Sequence, residues 1–204
     1  MRPAAPIYQL KLMVRHVAPP IWRRVQVSGA ITLAALHGII QTVLGWDDYH
    51  LWAFTIDKNE YVPPVAQDPF MAFDVGAARR PLSAKSAVLD ELVAGRRIKF
   101  SYNYDFGDDW WLDIKVERVL TPELGVIYPR CLDGQRAAPP EDCGGVSGYF
   151  NLLEALADPG HPEREELIEW TGGEWDAEAF DLDAMNAALK PRSRRPRKPK
   201  AAPG

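Results

Sequence analysis

Two β-favouring runs, residues 97–104 and 110–120, are joined by Asp105-Phe106-Gly107-Asp108-Asp109, and no other stretch constrains the fold as much. Two such runs around a short loop rich in Asp and Gly predict an antiparallel hairpin, with Gly107 supplying a left-handed position in the turn. A hairpin of this length needs further strands and a covering layer to be stable. The rest of the chain supplies both. Residues 7–17 alternate, with Tyr8, Leu10, Leu12 and Val14 on one side and Gln9, Lys11, Met13 and Arg15 on the other. Pro19-Pro20 makes a stiff bend, and residues 21–27 read as a second strand that closes a hairpin with the first.

Thr32 is a good N-cap for a helix over 33–44 with Leu33, Leu36, Ile40 and Val43 as its apolar stripe, and Gly45 closes it. A strand is expected over 50–56, a long irregular loop over 57–81 and a short helix over 86–93. Residues 121–145 have little periodicity. Three helical patterns follow at 149–157, 162–170 and 182–189, with Pro162 at a first helical position and Asp181 as an N-cap. Strands mixed with one central helix, then helices at the end, predict an α+β fold with a mixed or antiparallel sheet.

The charge is unevenly spread. Seven of the 24 basic residues lie in 190–204, which holds no acid, so the first 189 residues carry 17 against 28 acids, a net of −11. Residues 1–189 are therefore read as one α+β domain, and 190–204 as a disordered basic, proline-rich tail. In the tail Arg192, Arg194, Arg195, Arg197, Lys198 and Lys200 are candidate phosphate contacts, with solubility as the plainer role. No apolar run approaches a membrane span, and the first residues have no secretory h-region. With only two cysteines, the expectation is a cytoplasmic, reduced protein without a membrane partner.

A second dense segment, Arg136-Ala137-Ala138-Pro139-Pro140-Glu141-Asp142-Cys143-Gly144-Gly145, matches the first in its mix of carboxylates and glycines. If the two loops meet, Asp105, Asp108, Glu141 and Asp142 converge, and clustered oxygen ligands suit a divalent cation and metal-dependent hydrolysis, of nucleic acid for instance. The plainer reading makes Asp105 and Asp108 turn-formers and pairs Glu141 or Asp142 with Arg136. Cys131, Cys143 and His161 lack the close pairing of a structural zinc site and read as two partly buried thiols and a remote His. Alternation along the second strand sends Arg23 to the core side and Arg24 to the other, and one of them is expected to bridge to Asp105 or Glu141, with phosphate contact as the alternative. His37 and His50 have no Ser or Cys partner at motif spacing. Walker A, GxGxxG, HExxH and GxSxG motifs are absent.

Four stretches together resemble the plasmid pRiA4b ORF-3-like family: Pro20-Ile21-Trp22-Arg23-Arg24-Val25, Asp48-Tyr49-His50-Leu51-Trp52-Ala53-Phe54, Tyr104-Asp105-Phe106-Gly107-Asp108-Asp109-Trp110, and the segment from Asp133 to Gly145. The resemblance spans about residues 7–189. It implies an α+β fold and a bacterial setting, often on mobile elements such as plasmids, but no mechanism, since the family has no established biochemistry. The chain departs from the family's pattern at Leu112, where relatives carry His, and at Ala138, where many carry Cys. The resolvase label attached to some members does not fit these residues, because no nucleophilic Ser stands near the N-terminus among arginines and the basic tail holds too much proline for a recognition helix. The expectation is a non-catalytic binding module for a protein or nucleic-acid partner, with no cofactor, or a divalent metal in the hydrolase alternative. Its surface is expected at Tyr104, Asp105, Gly107, Asp108, Trp110, Arg136, Glu141, Asp142, Gly144, Gly145 and Tyr149, where Tyr104, Trp110 and Tyr149 are the aromatic anchors.

Overall fold

The computed structural model describes residues 4–67, 80–173 and 175–190. The basic tail beyond Lys190 lies outside the described residues. Eight strands form one sheet: β1 (Ile7–Val14), β2 (Trp22–Ser28), β3 (Trp52–Ile56), β4 (Asn59–Val62), β5 (Leu82–Ser83), β6 (Lys99–Tyr104), β7 (Trp110–Leu120) and β8 (Arg130–Gln135). Their order is β5-β4-β3-β6-β7-β1-β2-β8. Every neighbouring pair is antiparallel except β4 with β5, so the sheet is mixed. Five helices accompany it: α1 (Leu33–Leu44), α2 (Leu89–Val93), α3 (Gly145–Ala157), α4 (Arg164–Trp170) and α5 (Leu182–Leu189). Among the described residues no helix is long and apolar enough to cross a membrane.

Alternation along the strands sorts side chains to the two faces of the sheet. Tyr8, Leu10, Leu12 and Val14 of β1 share the inner face with Phe54, Tyr102, Leu112, Ile114 and Val116, all 3% exposed or less. Helix α1 packs its stripe there; Thr32 Oγ1 accepts from the Ala35 amide, and Gly45, left-handed at φ 75°, closes the helix. Asp181 Oδ1 caps α5 by accepting from the Ala184 amide.

Arg23 is on the inner face, as alternation requires, but no carboxylate meets it. Its Nε donates to the Val43 carbonyl, and Nη1 donates to the Trp22 and Gln135 carbonyls. The guanidinium lies 5.0 Å from the Phe180 ring centre. Burial lowers its pKa to about 10. Arg23 thus ties α1, β2 and β8 together. The expected bridge to Asp105 or Glu141 does not form from either arginine: Arg24 on the outer face pairs with Glu117 at 2.7 Å and Asp133 at 3.4 Å.

Two strands lie where loop was expected. β4 follows β3 through Asp57-Lys58, both left-handed (φ 48° and 67°), which gives the two-residue turn that joins twisted strands directly. β8 lies at the sheet edge against β2, in register with a bulge at Arg24/Val25. Helix α3 begins at Gly145 rather than Tyr149, and α4 at Arg164 rather than Pro162.

Candidate functional site

The β6–β7 turn is built by its aspartates. Asp105 and Asp109 take the left-handed conformation (φ 56° each), which short polar side chains tolerate; Gly107, expected there, does not. Asp105 Oδ1 accepts from the Gly107 amide at 3.0 Å, and the Asp109 amide donates to the Asp105 carbonyl. Asp109 Oδ1 accepts from Asn103 Nδ2 and Trp111 Nε1.

The 136–145 segment lies against this turn, so the two loops meet. The Gly144 amide donates to Asp108 Oδ2 at 3.1 Å. Gly145, at φ 65°, comes so close that a Cβ would stand 2.5 Å from the Asp108 carbonyl oxygen. Here the glycine serves backbone contact between the loops.

A third segment, residues 46–51, is woven into both. Trp46 stacks on Tyr104 with ring centres 4.9 Å apart and donates from Nε1 to the Pro139 carbonyl at 2.9 Å. The Asp47 amide donates to Glu141 Oε2 at 2.7 Å, and the Tyr49 amide to Tyr104 Oη at 3.2 Å. Tyr104 donates its hydroxyl proton to Glu141 Oε1. The Asp105 amide donates to the Leu51 carbonyl. Behind this segment lies a buried polar chain. His37 is stacked on Trp52 at 4.1 Å, and its Nδ1 and Nε2 lie 2.7 Å from Tyr102 Oη and Asp48 Oδ1. Gln41 Nε2 donates to Tyr102 Oη, while its Oε1 accepts from the Asp48 amide. Burial lowers the His37 pKa despite Asp48, and raises that of Tyr102 well above its usual value.

These anchors fix His50, which projects between the two loops. Its Nε2 lies 3.2 Å from Asp142 Oδ1 and its Nδ1 3.6 Å from Asp105 Oδ1. Nε2 is buried and has no hydrogen-bond partner, so the 3.2 Å approach lacks hydrogen-bond alignment. One donor atom each from His50, Asp105 and Asp142 lies within 4.8 Å of the others, the only group of three His, Cys or acidic residues so placed among the described residues.

The four acids expected to converge divide into two pairs. Asp105 and Asp142 face His50. Asp108 is spent on the Gly144 amide, and Glu141 on Tyr104 and the Asp47 amide. The three aromatic anchors are core residues: Tyr104, Trp110 and Tyr149 are at most 1% exposed, because alternation turns Tyr104 and Trp110 inward and Tyr149 meets Trp110 edge to face. Tyr49, at 75% exposure, is the aromatic that faces solvent beside His50. Arg136 is also buried. Its Nε donates to Glu178 at 2.7 Å and Nη1 to the Pro19 carbonyl, so it bridges neither Glu141 nor Asp142. Leu112, where relatives carry His, is fully buried on the inner face, and Ala138 lines an apolar hollow with Trp175 and Phe180. Cys131 is a buried free thiol and Cys143 a half-buried one. His50 is the residue that sequence reasoning passed over. Its signal is the stretch Asp48-Tyr49-His50-Leu51-Trp52, which belongs to the resemblance but reads locally as the start of a strand.

One helix-covered mixed sheet with a three-loop seam at one end defines an α+β protein of a recurrent architecture. The chain belongs to the plasmid pRiA4b ORF-3-like protein family, whose model matches residues 6–184. It is 38% identical over 187 residues to the uncharacterized protein y4hQ of Sinorhizobium fredii (strain NBRC 101917 / NGR234), covering 91% of each chain. The same fold occurs in the crystal structure of a protein of unknown function, MM3350 from Methanosarcina mazei Go1, at 35% identity and a TM-score of 0.78, over 90% of this chain and 98% of that one.

Proposed function

We propose that the protein is a binding module whose recognition site is the seam between the 46–51, 105–109 and 139–145 segments, and that a divalent transition-metal ion at His50, Asp105 and Asp142 is the centre of that site. The observation that carries this reading is His50, whose Nε2 is buried without a hydrogen-bond partner and whose ring offers a nitrogen within 4.8 Å of a carboxylate oxygen of both Asp105 and Asp142. A buried polar atom without a partner costs free energy that a metal would recover. One imidazole and two carboxylates suit zinc, manganese or iron better than calcium, which prefers all-oxygen sites. Three protein ligands leave coordination positions open for an oxygen of the bound partner. Asp108, Gly144, Gly145, Tyr104 and Glu141 are positioning residues, and exposed Tyr49 is the side chain placed to touch a ligand. The hydrolase reading through Asp105, Asp108, Glu141 and Asp142 is not adopted, because Asp108 and Glu141 are already satisfied by protein donors.

Calorimetric titration of the full chain with Zn²⁺, Mn²⁺, Mg²⁺ and Ca²⁺, together with bound-metal analysis, tests the reading. One Zn²⁺ or Mn²⁺ per chain is expected, with much weaker Mg²⁺ and Ca²⁺. His50→Ala and Asp142→Asn should each abolish binding at unchanged far-ultraviolet dichroism. Metal bound equally well by His50→Ala, or no stoichiometric metal in the wild type, refutes the site.

A further inference from the structure

We infer that the outer face of the sheet is a binding platform for single-stranded nucleic acid. Lys99 of β6 stands directly opposite Lys115 of β7, Lys115 opposite Lys11 of β1, and Lys11 opposite Arg24 of β2. Four cations thus form one row across four adjacent strands. Like charges directly opposite one another destabilise a sheet. With strands about 4.8 Å apart the row is about 14 Å long, which suits a chain of anions better than one small ion.

Part of this charge is balanced within the protein. Lys99 pairs with Asp113 at 2.7 Å, and Arg24 with Glu117 and Asp133. The charge of Lys11 also acts on Glu117, though the two form no salt bridge. Among the described residues Lys115, Arg97 and Arg118 likewise form no salt bridge. Arg97, Lys115 and Arg118 line a shallow hollow of about 510 Å³ with Gln9, Arg24 and Glu117. In a chain whose first 189 residues carry a net −11, cations gathered on one face steer a polyanion to that face and away from the rest.

The choice of single-stranded nucleic acid rests on Trp22. It lies on the same face, one pleat along β2 from Arg24, and is partly exposed. Lys11 Nζ is 4.7 Å and Arg24 Cζ 5.1 Å from its ring centre. A positive row tracking phosphates beside an aromatic ring on which a base stacks is how sequence-tolerant single-strand sites are built. An acidic peptide would use the charges but not the ring, and the bases of a duplex stay stacked on one another and are not free to stack on the ring. This platform is independent of the His50 seam and of the tail.

The test is fluorescence anisotropy of a labelled oligothymidine of about 15 nucleotides, a length a single-strand site can cover, titrated with the full chain over a salt series. Lys11→Glu/Lys115→Glu should weaken binding at least about tenfold and flatten the log–log salt slope by about 1.4, at about 0.7 for each phosphate no longer neutralised. The melting temperature of the double variant should hold, since the two new carboxylates oppose each other but each also stands opposite a remaining cation, Arg24 or Lys99; if the double variant fails to fold, Lys11→Gln/Lys115→Gln serves instead. Trp22→Ala should weaken binding about tenfold. The full chain with Arg192, Arg194, Arg195, Arg197, Lys198 and Lys200 replaced by Ser should still bind. Loss of all binding in that chain, unchanged affinity in the folded Lys11/Lys115 variants, or equal binding of duplex DNA or polyglutamate overturns the inference.

Discussion

Removing a hydroxyl from Tyr104 and from Tyr149 should have opposite consequences, although both rings are fully buried. Tyr104 Oη donates to the Glu141 carboxylate and accepts from the Tyr49 amide. Tyr104→Phe keeps the ring against Trp46 and deletes both bonds. A hydrogen bond to a charged group is worth about 1.5–3 kcal/mol and a neutral one about 1. Glu141 is half-buried and recovers some hydration, so the lower half applies, about 2.5–3 kcal/mol in all. For a chain of this size that lowers the melting temperature by about 5–10 °C. Tyr149 Oη, in contrast, is buried and has no hydrogen-bond partner. Burial raises its pKa, so the hydroxyl stays neutral. Tyr149→Phe removes a polar atom that was desolvated without compensation, and the melting temperature should stay level or rise by a few degrees. Scanning calorimetry of wild type and the two variants in one buffer reads the contrast. If Tyr149→Phe costs as much as Tyr104→Phe, the assignment of partners at this seam is wrong.

Three further perturbations probe the same region. Gly148→Ala would place a Cβ 1.8 Å from the Cys143 carbonyl, and Gly145→Ala adds a side chain at φ 65° facing Asp108; each should cost about 1–3 kcal/mol, and chemical denaturation that finds either neutral refutes the loop contact. His37 is held neutral, because burial lowers its folded pKa below the unfolded value of about 6.5. The unfolded chain then binds the extra proton, so stability is full above about pH 6.5 and falls as pH drops from there towards the folded pKa. His37→Phe should flatten that slope in urea titrations across pH 5–7 (about the range where His titrates), and an unchanged slope assigns the titration elsewhere. Burial, with Asp108 beside it, pushes the Cys143 thiol up to about 12. Iodoacetamide at pH about 8 should therefore modify it more than about a hundredfold slower in the native protein than in denaturant, and comparable rates would place the thiol in solvent.

The legible parts of the fold are those written in local pattern. Helix α1 carries its own signals in Thr32, its apolar stripe and Gly45, and β7 and the β1–β2 hairpin follow from alternation. β4 is hidden because its turn uses Asp57-Lys58 in left-handed conformations without a glycine. β8, Arg-Cys-Leu-Asp-Gly-Gln, has little β-favouring character and is a strand because β2 offers it a free edge. The start of α3 is hidden because Gly144-Gly145-Val146-Ser147-Gly148 reads as loop. Close approach to Asp108 and to the Cys143 carbonyl requires glycine there, and tertiary contact overrides propensity.

The site is half legible for a related reason. Local chemistry marks the two loops, and Asp105 does form the turn, whereas Asp108, expected to do the same, holds the Gly144 amide of the other loop. Local chemistry does not tell which carboxylates the fold consumes. Asp108 and Glu141 accept from the Gly144 amide, the Asp47 amide and Tyr104, and each such bond fixes a loop. What those bonds position is His50, on a segment distant from both loops in sequence. A carboxylate has about four acceptor directions, so the bond from the Gly107 amide leaves Asp105 able to bind a cation. The residues read as anchors thus hold the frame, and those left with unused capacity converge at one point. Folding has already met the entropic cost of gathering His50, Asp105 and Asp142, so the proposed cation would find its ligands in place. A seam held by this many hydrogen bonds should change little on binding, which makes the metal titration of His50→Ala a direct reading of the site.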